Sequence, residues 1–202
     1  PGRGGSNVIA LCAAREDPAA TMLGTRQEQW LAAGLAARET RWHLLGQTTR
    51  MAQADNTAGP GESYYSDSWD GYPAARQRLL ATLRDTAASN PVVLGGDVHA
   101  FWVNDLKTDF ERADAPVIAT EFVTTSVTSQ PPPETIMRTA ADEGPHEHVA
   151  TGLYRGYVRV TLTPERCSAD LRALADVTRA DTTCRTLSSW VVDDGQPGAR
   201  PA

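Results

Sequence analysis

Short apolar runs bounded by turn-forming residues dominate the hydrophobic pattern of this chain. Residues 92–94 follow an Asn-Pro turn signal and 117–123 form a longer run, so both are predicted as buried strands. Residues 41–46 are also predicted as a buried strand, and 7–12 as an edge strand. Residues 1–6 resemble a loop. The spacing of these runs favours an α/β domain over an all-helical one.

A helical period begins at Thr25, which has capping-box spacing with Glu28. Its inward stripe is predicted to consist of Trp30, Leu31, Gly34 and Leu35, whereas Gln29, Arg38 and Glu39 face water.

A second helix is predicted from Pro73 to about residue 88, between the strands 41–46 and 92–94. Two strands joined in this way are expected to be parallel, with a right-handed connection. The inward residues of the helix are predicted to be Leu79, Leu80, Leu83 and Ala87, and Arg76, Arg78 and Arg84 are placed elsewhere on its surface.

In the last third of the chain, apolar and polar residues alternate with the period of a β-strand. Residues 156–162 show the period of a half-exposed strand, and 169–177 and 187–192 predict two more strands. Together they predict a C-terminal antiparallel layer beside a mixed sheet. Residues 193–202 are predicted to be a flexible tail.

Composition narrows the function classes. The chain has 202 residues and a net charge of −6, which suits one domain and argues against a nucleic-acid-binding groove. No apolar run approaches the roughly 18 residues of a membrane span. The three cysteines leave two alternatives open: a disulfide between Cys167 and Cys184, or buried free thiols.

The most informative chemistry follows the strand 92–94. Gly95 and Gly96 allow a sharp bend, and Asp97 and His99 come next, two positions apart. If the backbone is extended there, the carboxylate and the imidazole point the same way. They would then form half of a metal site at the carboxyl end of a strand. A hydrogen-bonded pair without metal is the alternative.

Four other stretches have features that bear on a functional site. Residues 146–148 contain two histidines but are predicted to be a solvated loop, and 101–103 to start a short helix or turn. The hydroxyl-rich stretch 124–129 either lines a polar pocket or satisfies a turn. A serine hydrolase is disfavoured because no G-x-S-x-G motif is present. The long loop 56–67, with Tyr64 and Tyr65, is either a functional loop or a mobile surface excursion.

Several motifs, taken in order, resemble the PhoD-like alkaline phosphatases of the calcineurin-like metallophosphoesterase superfamily. The matching stretches are Met22–Gly24 with Gln27 and Trp30–Leu31; 42–47 with Met51; 69–74 with Arg76 and Arg78; 92–102; 119–123; and 155–158.

The resemblance implies an αββα sandwich and hydrolysis of phosphate monoesters, and also diesters, at a centre of ferric iron and calcium, with other divalent metals as alternatives. Asp97 and His99 match the last metal-binding motif of the family and are the expected catalytic metal ligands. Gln47 falls where related phosphatases carry a histidine ligand, and is expected to line the site. Asp70, Tyr72 and Arg76 match a family signature and are expected to line the pocket or support it. Export to the periplasm or outside the cell is also implied.

The chain departs from the family pattern at one point. A cysteine, an aspartate with a nearby tyrosine, and an asparagine should supply the other ligands, and Cys12 comes too late in the motif order to be that cysteine. Residues 1–192 are therefore expected to be the C-terminal portion of one catalytic domain, with the upstream part of that domain as its partner and a phosphate ester as its substrate. The alternative is a non-catalytic remnant or binding module of the same fold.

Overall fold

The computed structural model describes residues 8–10, 12–37 and 39–202. The predicted loop 1–6, two positions of the predicted strand 7–12 (Asn7 and Leu11), and Arg38 lie outside these residues. The elements are β1 Val8–Ile9, α1 Thr25–Ala36, β2 His43–Gly46, β3 Tyr64–Tyr65, a 3-10 turn Trp69–Gly71, α2 Pro73–Asp85, β4 Pro91–Gly95, β5 Phe101–Lys107, β6 Val117–Val123, α3 Glu134–Glu143, β7 Glu147–Thr151, β8 Arg155–Leu162, β9 Arg166–Leu174, β10 Cys184–Asp193 and β11 Gln196–Pro201.

A five-stranded mixed sheet carries the candidate site. Its strand order is β2-β4-β6-β5-β7. The strands β2, β4 and β6 are parallel, and β5 and β7 run antiparallel to their neighbours. The parallel pairing of β2 with β4 through α2 confirms the predicted crossover. However, β2 lies at the edge of this sheet and is only half-buried, so the prediction of a buried strand was wrong there.

The C-terminal strands form a second sheet, with the order β11-β10-β9-β8 and antiparallel pairing throughout. This confirms the predicted antiparallel layer. The prediction of a flexible tail was wrong for the residues of β11, which pair with β10. The backbone N–H of Ala199 also donates to Asp105 Oδ1 of β5 at 3.0 Å. These partners come from other strands, and the sequence of β11 has no apolar alternation that would reveal them.

Three apolar clusters of described residues hold the layers together, and one of them, with Trp102 and Met137, lies beneath α3. Another lies between the helices and the mixed sheet and includes Trp69, Leu80 and Leu83. The third lies between the two sheets and includes Phe101 and Phe122. Helices, mixed sheet and antiparallel sheet thus form consecutive layers, in agreement with the expected α/β sandwich class.

Several local predictions for the helical layer need correction. Thr25 makes no capping hydrogen bond; instead Thr21 Oγ1 accepts from the backbone N–H of Gly24 at 2.9 Å and donates to Glu28 Oε1 at 2.5 Å. Trp30 is 70% exposed, because the face of α1 that meets the core carries Leu31 and Leu35. Helix α2 ends at Asp85, which leaves Ala87 exposed in a left-handed turn.

The segment after His99 was also predicted wrongly. Residues 101–103 begin the buried strand β5 rather than a helix or turn, because they pair with β6 on one side and β7 on the other. Aromatic and β-branched side chains such as Phe101, Trp102 and Val103 fit this two-sided burial.

The three cysteines are free. Cys167 lies opposite Val192, whereas Cys184 lies opposite Leu174, so the two cysteines occupy opposite ends of the paired strands β9 and β10. Strands rise about 3.3 Å per residue, so the two ends are far beyond the reach of a disulfide. The disulfide alternative is therefore excluded. Among the described residues, no helix combines the length and apolar character that a membrane crossing requires.

Candidate active site

The loop between β4 and β5 presents Asp97 and His99. Both residues have left-handed backbones, with φ values of 67° and 56°, and between them the N–H of Val98 donates to Gly96 O at 2.8 Å. The backbone is therefore tightly turned. The expectation from sequence that the two side chains point the same way required an extended backbone, which is not present. Non-glycine residues with positive φ are uncommon, and they cluster at functional sites.

The turned loop still places both residues at one cleft. Asp97 and His99 line the same cleft, which has a volume of about 350 Å³. Its polar wall also includes Arg50, Asn56 and Ser68. Its apolar wall is formed mainly by Val98, Trp102, Pro131, Ile136 and Met137. The cleft is open to solvent on one side, so a ligand has a path to both residues.

The tautomer of His99 follows from its hydrogen bonds. Its Nδ1 lies 2.9 Å from the backbone carbonyl oxygen of Gln130. Because a carbonyl can only accept, Nδ1 carries the proton, and Nε2 has no hydrogen-bond partner among the described residues. Thr125 Oγ1 additionally donates to the carbonyl of His99 at 3.1 Å. A ring held through Nδ1–H to a carbonyl, with Nε2 left free, is the usual arrangement of a metal-binding histidine.

The hydroxyl-rich stretch 124–129 supports this loop and is absent from the residues that line the cleft. Thr125 binds the backbone of His99, and Thr124 Oγ1 accepts from the N–H of Val158 at 3.2 Å. The stretch thus satisfies backbone groups, which was one of the two alternatives.

The segment that follows β2 packs closely against the end of β4. A Cβ atom on Gly95 would lie 2.5 Å from the carbonyl oxygen of Thr49, so only glycine permits this approach. Gln47 fixes the same segment: its Oε1 accepts from Thr49 N at 3.1 Å and from Trp69 Nε1 at 3.1 Å. Gln47 therefore lies beside the strand ends, but it is not among the residues that line the cleft with Asp97 and His99.

Arg50 lies in this segment, and the sequence analysis did not identify it. Its side chain is only 7% exposed, its Nη2 donates to Asp70 Oδ2 at 2.9 Å, and its guanidinium carbon lies 4.4 Å from the ring centroid of Trp102. Its Nε is buried without a partner among the described residues. A lone arginine in an irregular segment carries no sequence signal, because only the folded chain places it at the cleft.

Asp70 and Arg76 lie beneath the cleft, not in it. Asp70 is buried, accepts from Arg50 and Arg76, and also accepts from the N–H of Ala54 at 3.2 Å. Arg76, which was placed on the helix surface, is buried and donates to Met51 O at 3.2 Å. Tyr72 precedes α2 and packs against the helix-side core, away from the cleft.

Glu121, in the middle of β6, organises the same segment. Its Oε1 accepts from the N–H of Met51 at 2.6 Å, and its Oε2 accepts from Ala52 N at 3.0 Å and from Asn104 Nδ2 at 2.9 Å. Complete burial raises the pKa of this carboxyl above its ordinary value. A glutamate in an otherwise apolar strand was the one available sequence signal for this role.

The histidine pair at 146 and 148 is not a solvated loop. His146 is buried and its Nε2 donates to Gln53 O at 2.8 Å, whereas His148 lies in β7 and contacts Asp105 Oδ2 at 2.9 Å. Burial lowers the pKa of His146 to about 4. Burial raises the pKa of the neighbouring Glu147 to about 8, and both carboxyl oxygens of Glu147 lack hydrogen-bond partners among the described residues.

The donor set available for a metal is incomplete within the described residues. No group of three or more histidine, cysteine, aspartate or glutamate residues in that part of the chain could hold a metal ion. Asp97 and His99 offer an oxygen and a nitrogen atom, which are donor types that suit calcium and iron. The free Nε2 of His99 fits this role, and the remaining donors of a full site would have to come from elsewhere.

Comparison with known proteins bears on the family of the chain. The family described as PhoD-like phosphatase matches residues 4–171. The chain is 37% identical over 191 residues to alkaline phosphatase D of Bacillus subtilis (strain 168), which covers 91% of this chain and 32% of that protein. A solved structure titled "Structure of PhoD" superposes with a TM-score of 0.88 at 35% identity, covering 96% of this chain and 38% of the other. The chain thus spans about a third of the length of its curated relative.

Proposed function

Because the chain belongs to the PhoD-like phosphatase family, we propose that the protein hydrolyses phosphate esters in a metal-dependent reaction at the cleft between β4, β5 and α3. The observation that supports this most directly is that Asp97 and His99 line one cleft, where His99 donates from Nδ1 to Gln130 O and its Nε2 has no partner among the described residues. Monoesters are the primary proposed substrates, with diesters as a further substrate class.

Asp97 and His99 would hold the metal, with ferric iron and calcium as the proposed ions. When bound, such ions neutralise the phosphate charge and lower the pKa of a coordinated water, which supplies a nucleophile near neutral pH. The chain contributes orientation. Gln130 and Thr125 fix the ring and the backbone of His99, and Asp97 lies in a left-handed turn at the lining of the cleft.

The apolar wall of the cleft suits the organic part of an ester. Trp102 is buried in the core beneath α3, and Ile136 and Met137 of α3 line the same opening. These side chains exclude water from one side of the cleft, so the electrostatic interactions on the polar side act in a lower dielectric. An ester bound in this way places its phosphoryl group towards the polar wall.

Residues 1–192 are proposed to be the C-terminal portion of a single catalytic domain, and the remaining metal donors to lie outside these 202 residues. Export from the cytoplasm is part of the same proposal, because it follows the family. The two-donor set also favours the alternative of a binding module that does not hydrolyse.

The test uses the full-length protein with Asp97→Asn and His99→Ala. Each variant is expected to lose at least about a hundredfold in kcat/KM with p-nitrophenyl phosphate and to lower bound iron or calcium, because removing one ligand leaves the ion weakly held. Assays with bis-p-nitrophenyl phosphate measure the diesterase activity in parallel. Metal content is measured by mass spectrometry of the purified protein.

Matched controls are Asp109→Asn, in an exposed turn, and His43→Ala, on the edge strand β2. Both are expected to keep normal turnover and metal content. Undiminished hydrolysis in the Asp97 and His99 variants would refute the assignment of these ligands. Tightly bound iron in the wild-type protein without any phosphoester hydrolysis would favour the binding module.

A further inference from the structure

We propose that Arg50 binds the phosphoryl oxygens of the ligand in this cleft and that Asp70 is its positioning residue. This inference rests on the proposed function and assigns an anion-binding role to a residue that no sequence motif marked. It concerns recognition of the phosphate group, which Asp97 and His99 alone do not provide.

Arg50 lies at the cleft that Asp97 and His99 line. Of the described residues that line the cleft, Arg50 is the one lysine or arginine. Its side chain is more than nine-tenths buried, yet Arg50 lines the same cleft as Asp97 and His99. A cation at the base of an open cleft attracts an anion more strongly than one on a flat surface, because the surrounding protein lowers the dielectric.

The guanidinium of Arg50 has donor nitrogens that no described residue uses. Asp70 accepts from Nη2, and Nε has no partner among the described residues. Nε is sealed from solvent, whereas Nη1 makes no hydrogen bond to a described residue and is not among the sealed atoms. Nη1 is therefore the donor left for an acceptor in the cleft. A tetrahedral oxyanion supplies several acceptors, and the planar guanidinium matches their spacing.

The side chain of Arg50 is held in place by its neighbours. Its guanidinium is held between the carboxylate of Asp70 and the ring of Trp102, so its rotation is restricted on two sides. Asp70 is also bound by Arg76, so one carboxylate is shared by two guanidinium groups and does not neutralise both. An arginine fixed in this way binds an anion without first losing much side-chain entropy.

The experiment measures binding of inorganic phosphate to the full-length protein by calorimetry. Arg50→Gln is expected to weaken phosphate binding by about tenfold to a hundredfold, because a charge-assisted hydrogen-bond pair is lost. Arg50→Lys is expected to recover part of this loss, since it keeps the charge without the planar fork. Metal content is expected to stay unchanged in both variants.

Arg84→Gln is the matched control, because Arg84 lies on exposed α2 surface and pairs with Asp85. It is expected to bind phosphate as the wild type does. Wild-type phosphate affinity in a folded Arg50→Gln protein would overturn the proposal. A lower metal content that accounts for the whole loss would overturn it too.

A second measurement covers the case in which Arg50→Gln does not fold. Because the guanidinium lies over Trp102, phosphate binding to the wild type should change the fluorescence of that tryptophan. The change should disappear in Trp102→Phe. No phosphate-dependent change assignable to Trp102 would reject the role of Arg50.

These outcomes separate the two proposals. Ester hydrolysis by the wild type with unaltered phosphate binding in Arg50→Gln leaves the phosphatase function standing and removes the role of Arg50. Phosphate binding that depends on Arg50, without any hydrolysis, supports the role of Arg50 and removes the phosphatase function.

Discussion

Two aspartates of this molecule are each shared by a pair of arginines, one beneath the cleft and the other on the outer antiparallel sheet. Asp70 contacts Arg50 and Arg76, and Asp193 contacts Arg166 and Arg200. The distances are similar, at 2.9 Å for Arg50–Asp70 and 2.7 Å for Arg166–Asp193. The environments differ: the side chain of Asp70 is fully buried and that of Arg50 is 7% exposed, whereas Arg166 is 47% exposed.

The comparison teaches that the same ionic arrangement has different consequences in the two places. Water and salt screen the exterior group, so its members can separate at little cost. The interior group has no such alternative, because removing one partner leaves a desolvated charge. The interior cluster therefore helps to fix Arg50 and the segment 47–54, together with Gln47 and Glu121, whereas the exterior cluster lies on the surface of β9, β10 and β11.

The largest expected difference comes from removing the two shared carboxylates. Asp70→Asn is expected to lower the free energy of unfolding by about 3–5 kcal/mol, because it leaves two buried guanidiniums without their counter-ion. Asp193→Asn is expected to change it little, since its partners remain solvated. Chemical denaturation of both variants measures the difference. Equal losses would show that burial does not separate the two clusters.

The pKa values of a buried and an exposed carboxyl group shift in opposite directions. Burial raises the pKa of Glu147 to about 8, whereas hydrogen bonds from Arg200 and Arg166 lower the pKa of Asp193. Between pH of about 4.5 and 8 the unfolded chain has lost the Glu147 proton and the folded protein keeps it, so this group lowers stability as pH rises through that window. Glu147→Gln cannot ionise, and is expected to raise the unfolding free energy at pH 8 by up to about 5 kcal/mol relative to the wild type, with almost no effect at pH 4.5.

The measurement is urea unfolding of both proteins at several pH values, with the exposed Glu39→Gln as control. A wild-type pH dependence that persists unchanged in Glu147→Gln would contradict the buried neutral carboxyl.

His146 affects stability at the acidic end of the pH range. Its pKa is lowered to about 4 by burial, so its stability cost is absent above pH of about 6.5 and grows as the pH falls towards 4.

The smallest expected effect belongs to the exterior pair Arg159–Asp170, which joins β8 to β9. A double-mutant cycle with Arg159→Ala and Asp170→Ala should give a coupling energy below about 1 kcal/mol. The coupling should fall further in 1 M salt, because the screening length shortens to about 3 Å. A coupling of several kcal/mol that resists salt would place this pair with the interior cluster.

The sequence alone determined the elements whose pattern is local. The strands β4, β6 and β8, the helix α2 and the crossover between β2 and β4 follow from apolar periodicity and turn signals, because each element encodes its own buried face within a few residues. The motif around Asp97 and His99 was likewise visible, although the left-handed turn that brings the two residues to one cleft was not.

The tertiary structure decided what depends on partners far along the chain. The strand β11 exists because β10 and β5 supply its hydrogen bonds, and Arg76 is buried because Asp70 and Met51 O compensate its charge and donors. Arg50 reaches the cleft because Asp70 and Trp102 hold it, and Glu121 fixes its segment from a strand seventy residues away in sequence. Long-range burial of charge leaves no periodic signature, so these placements appear only once the chain has folded.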